Sequence, residues 1–170
     1  LTAVAVSNWQ NRLLEKTTRS SADRVIPWGM ESFHTTAKER DIDILGVGSF
    51  TQLKDYNCFL DVVKLVQLKL SNLRVALVGY GPERAALERR SEELGLQETI
   101  EFTGEIARPD VLFYMQRSKI LLHPSQFESQ GFVFNEALAS GMGIVSRKVG
   151  IATPSDQWHL RETADDMSKS

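Results

Sequence analysis

Hydrophobic and polar positions follow two alternating patterns along most of the chain. Short apolar runs, typical of buried strands, are separated by segments in which apolar residues recur at helical spacing. The predicted strands are residues 42–48, 73–78, 99–103, 119–123 and 143–147, and the predicted helices are residues 56–70, 83–94, 110–117 and 131–140. Apolar strands that alternate with helices predict an α/β fold, a Rossmann-like parallel sheet with helices on both faces.

The two ends of the chain depart from this pattern. Ser7 followed by Gln10 predicts the capped start of an early helix, and residues 24–29 predict a short strand. Residues 31–40 are polar and irregular, as expected of a linker. The tail from residue 151 to residue 170 is polar except for Trp158 and Leu160 and predicts no final helix. Because the chain starts with Leu1-Thr2 rather than Met, we expect it to be part of a longer protein.

Composition excludes several classes of partner. The 170 residues have a net charge of -2 and a pI of about 6.0, so neither nucleic acid nor an anionic membrane is predicted. Cys58 is the single cysteine and predicts a reducing compartment, hence a cytoplasmic protein. No apolar run approaches the ~20 residues of a membrane span.

The segment from residue 120 to residue 141 carries two carboxylates around the start of a predicted helix. Glu128 lies in the loop after an apolar strand, and Glu136 lies inside the helix. Between them, backbone N–H groups at the helix N-terminus predict a phosphate site. Carboxylates repel a diphosphate but accept hydrogen bonds from hydroxyls, so each should face a hydroxyl group of the ligand. The candidates in this segment are Glu128, Ser129, Gln130, Gly131, Phe132 and Glu136.

A second candidate loop follows the first strand of the pattern. It contains Gly48 and Ser49, and Lys54 comes just before the next helix. Because ligands of parallel sheets bind at the carboxyl ends of the strands, Lys54 would place an ammonium above the sheet end. There it would neutralise a leaving diphosphate.

Two more loops follow predicted strands. Gly79 and Gly81 form a glycine turn, but Arg84 stands where a dinucleotide-binding fingerprint has its third glycine, which argues against nicotinamide or flavin. Glu105 and Ile106 follow the strand that ends at residues 102–104, where backbone groups would face a ligand.

The sequence gives little support for a metal site or for acyl-transfer chemistry. Asp41-Ile42-Asp43 matches a metal–diphosphate motif, but it lies at the amino end of a strand, the wrong end for a ligand. His34, His123 and His159 are scattered, so no metal site is predicted, and His123 is expected to be a packed residue at a strand end. The sequence has no Gly-x-Ser-x-Gly motif for acyl transfer.

Four blocks of the chain resemble the group 1 family (family 4) of retaining glycosyltransferases, which have the two-domain GT-B fold. The blocks are Leu45-Gly46-Val47-Gly48 with Lys54, Val78-Gly79-Tyr80-Gly81-Pro82-Glu83, Phe102-Thr103-Gly104, and Pro124-Ser125 with Glu128, Glu136 and Gly141. The two glutamates, separated by seven residues, match the family's signature. Ser49 stands where the family commonly has an arginine, and Tyr80 where it commonly has an aspartate.

The resemblance implies a role for each segment. Residues 41–150 would be the C-terminal, donor-binding half of a GT-B fold, residues 1–40 a remnant of the partner domain with the crossover, and residues 151–170 a truncated tail. Lys54 and Glu128 would be catalytic, with Glu128 on the donor sugar and Glu136 on the nucleotide ribose. Gly48, Ser49, Gly79, Gly81, Glu105, Ile106 and residues 129–132 would complete the donor site, with the base near residues 105–107.

The resemblance also implies an activity. The enzyme would transfer a hexosyl group from a nucleotide-diphosphate sugar to a glycan or glycolipid acceptor in polysaccharide biosynthesis, without a metal or other cofactor. A missing N-terminal domain would bind the acceptor, so this chain alone should bind nucleotide without turnover. Peripheral membrane association of the full-length enzyme is left open.

Two other interpretations remain open. One is a nucleotide-sugar epimerase of GT-B shape, and the other is a non-catalytic, flavodoxin-like binding module. The sequence does not specify the sugar, the base, the acceptor or the oligomeric state.

Overall fold

The computed structural model describes residues 3–26 and 39–170. The predicted strand at residues 24–29 is therefore described only in its first part, and most of the predicted linker lies outside the described residues. Within them, no helix combines the length and the apolar character needed to cross a membrane.

Strands and helices alternate along the described chain. The strands are β1 (Val4–Ala5), β2 (Arg24–Val25), β3 (Ile42–Val47), β4 (Val75–Val78), β5 (Ile100–Gly104), β6 (Ser118–His123), β7 (Gly143–Ser146) and β8 (Trp158–Leu160). The helices are α1 (Asn8–Thr18), α2 (Tyr56–Gln67), α3 (Arg84–Glu93), α4 (Arg108–Arg117), α5 (Phe132–Ala139) and α6 (Ala164–Met167), and a 3-10 turn spans Gln52–Lys54.

Six strands form one parallel sheet in the order β5-β4-β3-β6-β7-β8. Register is defined by pairs such as Leu45 with Ala76 on one side of β3 and Leu45 with Leu121 on the other. The predicted α/β class and its parallel sheet are therefore confirmed.

Two hydrophobic layers cover the sheet. One contains Phe59 and Leu60 of α2 together with Leu77 and Leu87, and the other contains Phe134 of α5. Side chains alternate between the faces of a strand, so apolar runs such as residues 75–78 supply both layers. Helices on both faces follow directly from this pattern.

Gly46 lets β3 approach its neighbours closely. A Cβ at Gly46 would lie 2.5 Å from Leu77 Cδ1 and 2.8 Å from Phe59 Cε2. The missing side chain at Gly46 therefore sets how tightly α2 packs on the centre of the sheet.

The N-terminal segment forms a separate, two-stranded parallel sheet from β1 and β2, with α1 between them. Ser7 caps α1 by accepting a hydrogen bond from the Gln10 backbone N–H at 3.1 Å, as the sequence predicts. The Gln10 side chain accepts from the backbone N–H of Val6 at 2.8 Å. Ser7 also donates its hydroxyl to the carbonyl of Ser129, which ties this segment to the loop before α5.

The tail after residue 150 corrects the sequence interpretation. β8 pairs with β7, and Trp158 is buried in the core with its Nε1 donating to Ser146 Oγ at 2.8 Å. The expectation of no final helix is wrong, because Thr163 caps the short helix α6 and Met167 packs into the core. A three-residue strand and a four-residue helix are too short to show a period.

Candidate functional site

The carboxyl ends of β3 and β6 lie side by side at the centre of the sheet. The chain leaves β3 towards β4 on one side and enters β6 on the other, so the connections diverge at this point. Such a switch point is where open α/β sheets form a ligand crevice. Lys54 follows β3 and Glu128 follows β6, and the fold therefore brings these two predicted residues to the same crevice.

Glu128 is the centre of a compact charged cluster. Its Oε1 atom pairs with Lys54 Nζ and lies 2.8 Å from Nε2 of His123. The side chains of Lys54 and Glu128 are 21% and 12% exposed, and His123 is buried. The sequence interpretation was right that His123 is packed at the strand end, but it missed the hydrogen bond to Glu128.

The protonation states of this cluster follow from its environment. Burial acts to raise the pKa of Glu128, but the hydrogen bonds from His123 and Lys54 outweigh it and lower this pKa to about 2. Burial lowers the pKa of His123, and the charge of Lys54 adds to this, although Glu128 opposes it. Glu128 is therefore ionised and His123 is neutral at pH 7, with the His123 Nε2–H donating to the carboxylate.

The loops around Lys54 and Glu128 are joined by further polar contacts. Asp55, which has a φ of 51°, pairs with Arg147 Nη1 at 2.7 Å. The Gln126 backbone N–H donates to the carbonyl of Leu53 at 2.8 Å. These contacts hold Lys54 between two fixed neighbours, Leu53 and Asp55, and so limit where its ammonium group can lie.

The hydroxyl of Tyr56 is buried beneath the same loop. Among the described residues it has no hydrogen-bond partner, and burial, aided by the Glu128 charge, raises its pKa. A Cβ at Gly48 would lie 2.9 Å from this hydroxyl. Gly48 therefore leaves the space that Tyr56 occupies under the crevice, and leaving such a hydroxyl unpaired costs about 1–3 kcal/mol.

A cavity of about 270 Å³ opens beside this cluster. It is lined by Val47, Gly48, Ser49, Val78, Gly79, Tyr80, Glu105, Ile106 and Val111. Complete small-molecule sites have volumes of about 300–1,000 Å³, so this cavity fits part of a ligand, such as a nucleoside. Five predicted binding residues share it: Gly48, Ser49, Gly79, Glu105 and Ile106.

Gly79 and Gly81 are required by the packing of the loops. A Cβ at Gly79 would lie 1.9 Å from the carbonyl oxygen of Gly48, and one at Gly81 would lie 2.5 Å from that of Phe50. Gly79 lines the cavity, whereas Gly81 lines a neighbouring one with Pro82. Both glycines therefore shape the crevice, whether or not they also contact a ligand.

The loop before α5 places backbone groups at the helix N-terminus. Gly131 is the N-cap of α5, with a φ of 82° and no side-chain capping bond. A Cβ there would lie 2.6 Å from the Phe134 ring. Gln130 is buried and its carbonyl accepts from Ile151 N at 3.0 Å, while Phe132 is 38% exposed. The predicted contributions of residues 129–132 would thus come from the backbone.

Glu136 lies on α5 with its side chain only 14% exposed, and Arg108 Nη2 approaches its Oε1 to 3.2 Å. Arg108 is the first residue of α4, and its side chain is 67% exposed. The sequence analysis missed Arg108 because it began this helix at residue 110. Pro109 in the first turn was the available signal, since proline is well tolerated there.

The Asp41-Ile42-Asp43 motif, which the sequence analysis rejected as a ligand site, lies at the opposite edge of the sheet. Asp41 pairs with Arg117, and Asp43 pairs with Lys119 at 2.7 Å, both at the amino end of β3. Over residues 3–26 and 39–170, no group of three or more potential metal ligands comes together.

Residues 30–154 match the protein family described as glycosyl transferases group 1. A 2-deoxystreptamine N-acetyl-D-glucosaminyltransferase of Niallia circulans is 31% identical over 121 residues, which cover 71% of this chain and 31% of that protein. The gpi3 subunit of the Schizosaccharomyces pombe phosphatidylinositol N-acetylglucosaminyltransferase is 28% identical over 146 residues, 83% of this chain and 32% of that protein. The chain thus spans about a third of the length of these curated relatives.

Solved structures share the fold. A TarM variant from S. aureus, in a complex that includes UDP, superposes with a TM-score of 0.88 at 17% identity over 99% of this chain and 35% of that chain. HepE from Anabaena, in complex with UDP and glucose, superposes with a TM-score of 0.78 at 17% identity over 99% of this chain and 52% of that chain.

The fold and crevice define an α/β domain of GT-B glycosyltransferase type, with its candidate site at the switch point of a parallel sheet. By its family match, the chain belongs to the group 1 glycosyl transferases.

Proposed function

We propose that this chain is the domain that binds the nucleotide-diphosphate sugar in a retaining glycosyltransferase, which moves a hexosyl group to a glycan or glycolipid. The observation that carries the proposal is the convergence of Lys54, Glu128 and the N-terminus of α5 beside a nucleoside-sized cavity. The membership in group 1 and the UDP named with two structural neighbours agree with it.

Each part of the donor has a group of suitable chemistry in the crevice. Gly48, Ser49, Gly79, Glu105 and Ile106 line space for the nucleoside. The side chain of Glu136 accepts hydrogen bonds from the ribose hydroxyls. The backbone N–H groups at the start of α5 bind the diphosphate, since the helix dipole and the N–H groups there favour anions.

The charged cluster acts on the bond that breaks. When the bond between the sugar carbon and the phosphate oxygen cleaves, the electron pair remains on the oxygen and negative charge grows there. Lys54 stabilises that charge, which is the largest electrostatic demand of this reaction. An ammonium group has three N–H donors, so Lys54 can contact a phosphate while it remains paired with Glu128.

Glu128 has a second task in this proposal. One of its oxygens is engaged by Lys54 and His123, and a carboxylate has two oxygens to offer. Glu128 therefore accepts a hydrogen bond from a sugar hydroxyl. The hydrogen bond from the neutral His123 keeps the Glu128 carboxylate in its orientation. No metal or other cofactor is part of the proposal, and the acceptor binds to groups outside this chain, which by itself binds nucleotide without turnover.

Calorimetric titration of the chain with UDP, GDP and ADP tests the proposal. We expect one diphosphate to bind preferentially and Glu136→Ala to weaken it about tenfold, the loss expected for a hydrogen bond to a charged group. Glu93→Ala, at an exposed position of α3, is the matched control. A folded chain that binds none of the three would contradict the proposal. In the intact enzyme, transfer of labelled sugar to an acceptor separates this function from epimerisation.

A further inference from the structure

The ion pair between Arg108 and Glu136 joins the start of α4 to α5. Arg108 Nη2 lies 3.2 Å from Glu136 Oε1, with Arg108 at the start of α4 and Glu136 in the middle of α5. The Arg108 side chain is 67% exposed, and an ion pair with an exposed partner contributes little to stability. Stability alone therefore gives little reason for this pair.

The position of Arg108 is unfavourable for a cation. The N-terminus of a helix carries the positive end of the helix dipole, which favours acidic rather than basic side chains. Asp110 lies in the same first turn and Glu136 approaches from α5, so two carboxylates accompany Arg108. The helix dipole therefore does not account for Arg108, whose partner in the structure is Glu136 on another helix.

Arg108 is close in sequence to residues that line the candidate nucleoside cavity. Val111 lines that cavity and lies three residues after Arg108 in α4, so the two share one face of the helix. Glu105 and Ile106, just before Arg108, line the same cavity. Arg108 therefore joins the segment that follows the predicted base-binding loop to Glu136.

We propose that Arg108 is a specificity-determining residue that recognises the ribose together with Glu136. In this inference, which rests on the proposed function, Glu136 accepts a hydrogen bond from a ribose hydroxyl and Arg108 donates one to the oxygen of the 2′-hydroxyl. A guanidinium has five N–H donors, so one pairing with Glu136 leaves donors for the sugar. The domain then prefers ribonucleotides over 2′-deoxyribonucleotides, and Arg108 causes a large part of that preference.

The test is calorimetric binding of UDP and 2′-deoxy-UDP, or of GDP and 2′-deoxy-GDP if guanosine is the base, to the purified chain. We expect the wild type to bind the ribonucleotide about tenfold more tightly, as for loss of a hydrogen bond to a charged group. Arg108→Ala should reduce this ratio to about threefold or less. Arg89→Ala, at an exposed position of α3, is the control and should leave the ratio unchanged.

A second pair of variants separates direct contact from an effect through Glu136. With Glu136→Gln as background, Arg108→Ala should still reduce the ratio if Arg108 contacts the 2′-hydroxyl itself. An unchanged ratio in that background, or in Arg108→Ala alone, would overturn the inference while the ribonucleotide still binds. If the folded wild type binds no nucleoside diphosphate at all, the proposed function fails and this inference fails with it.

Discussion

Lys54 and Glu128 form an ion pair across the switch point of the sheet, from loops 74 residues apart in sequence. Lys54 comes from the loop after β3 and Glu128 from the loop after β6, so neither loop alone forms the site. In the proposed function, the pair would hold a cation beside the diphosphate of the donor and would fix the carboxylate that faces the sugar.

Replacement of Lys54 by alanine should weaken the binding of UDP, or of whichever diphosphate binds, by about 10- to 100-fold, because one charge-assisted hydrogen bond to phosphate is lost. Uridine, which lacks phosphate, should bind within about threefold of the wild type. Calorimetry with both ligands measures the difference, and Lys69→Ala, at an exposed position after α2, is the control. An equal loss for uridine would show that Lys54 acts by supporting the loop rather than by contacting phosphate.

The stability of the domain should fall on acidification in two windows. The folded state lowers the pKa of His123. The stability that depends on a neutral His123 is therefore complete above about pH 6.5. It is lost at lower pH, because the imidazole of the unfolded chain takes up a proton there. The contribution of Glu128 is present above its ordinary pKa of 4.5 and is lost as pH falls towards about 2.

Urea unfolding at a series of pH values measures both contributions. His123→Gln should flatten the free energy of unfolding between pH 6.5 and 5, and Glu128→Gln should flatten it below pH 4.5. A wild type that becomes more stable between pH 6.5 and 5 would be incompatible with a neutral His123 in the folded state.

Gly79→Ala should destabilise the fold strongly. The new Cβ would lie 1.9 Å from the carbonyl oxygen of Gly48, and φ at Gly79 is +143°. Because backbone cannot move aside cheaply, we expect a loss of about 3 kcal/mol or more in the free energy of unfolding. Gly143→Ala is the matched control, since its nearest neighbour would be 3.8 Å away, and it should cost less than about 1 kcal/mol. Equal losses of stability for the two variants in thermal unfolding would refute the close approach of Gly79 to the Gly48 carbonyl.

The ion pair of Arg147 and Asp55 should contribute more to the stability of the fold than an exposed ion pair does. Its side chains are 18% and 19% exposed, and Arg147 also donates to the carbonyl of Pro124. Arg147→Met should therefore lower the free energy of unfolding by about 2–3 kcal/mol, somewhat less than for a fully buried pair.

The comparison for Arg147 is Lys169→Met, which removes a pair whose side chains are 59% and 65% exposed. We expect that change to leave the free energy of unfolding almost unchanged in chemical denaturation. If both variants lose the same free energy of unfolding, the contacts of Arg147 with the loops stabilise the fold no more than an exposed ion pair does.

Several features of the site were predicted because each is local in sequence. Residues 120–122 are apolar and precede Glu128, and residues 42–48 precede Lys54. In a parallel sheet both segments end at the same edge, so the alternation of periods placed both side chains at that edge, whereas the strand order that makes them neighbours came from the structure. The turn at Gly79 and Gly81 was predicted for the same local reason.

Other features depended on contacts between distant segments. The bond from His123 to Glu128, the buried position of the Tyr56 hydroxyl and the pair of Arg108 with Glu136 each need the final packing of loops and helices. β8 was also missed, because its burial comes from pairing with β7 rather than from a pattern of its own.

The sequence by itself thus determined the class of the fold, the edge of the sheet where the candidate site lies and most of the candidate residues, since periodicity and turn chemistry are carried by neighbouring residues. The tertiary structure alone decided which charges pair and which nitrogen of His123 meets Glu128. It also decided that Arg108 pairs with Glu136. These depend on distances between side chains far apart in the chain, which no local pattern encodes.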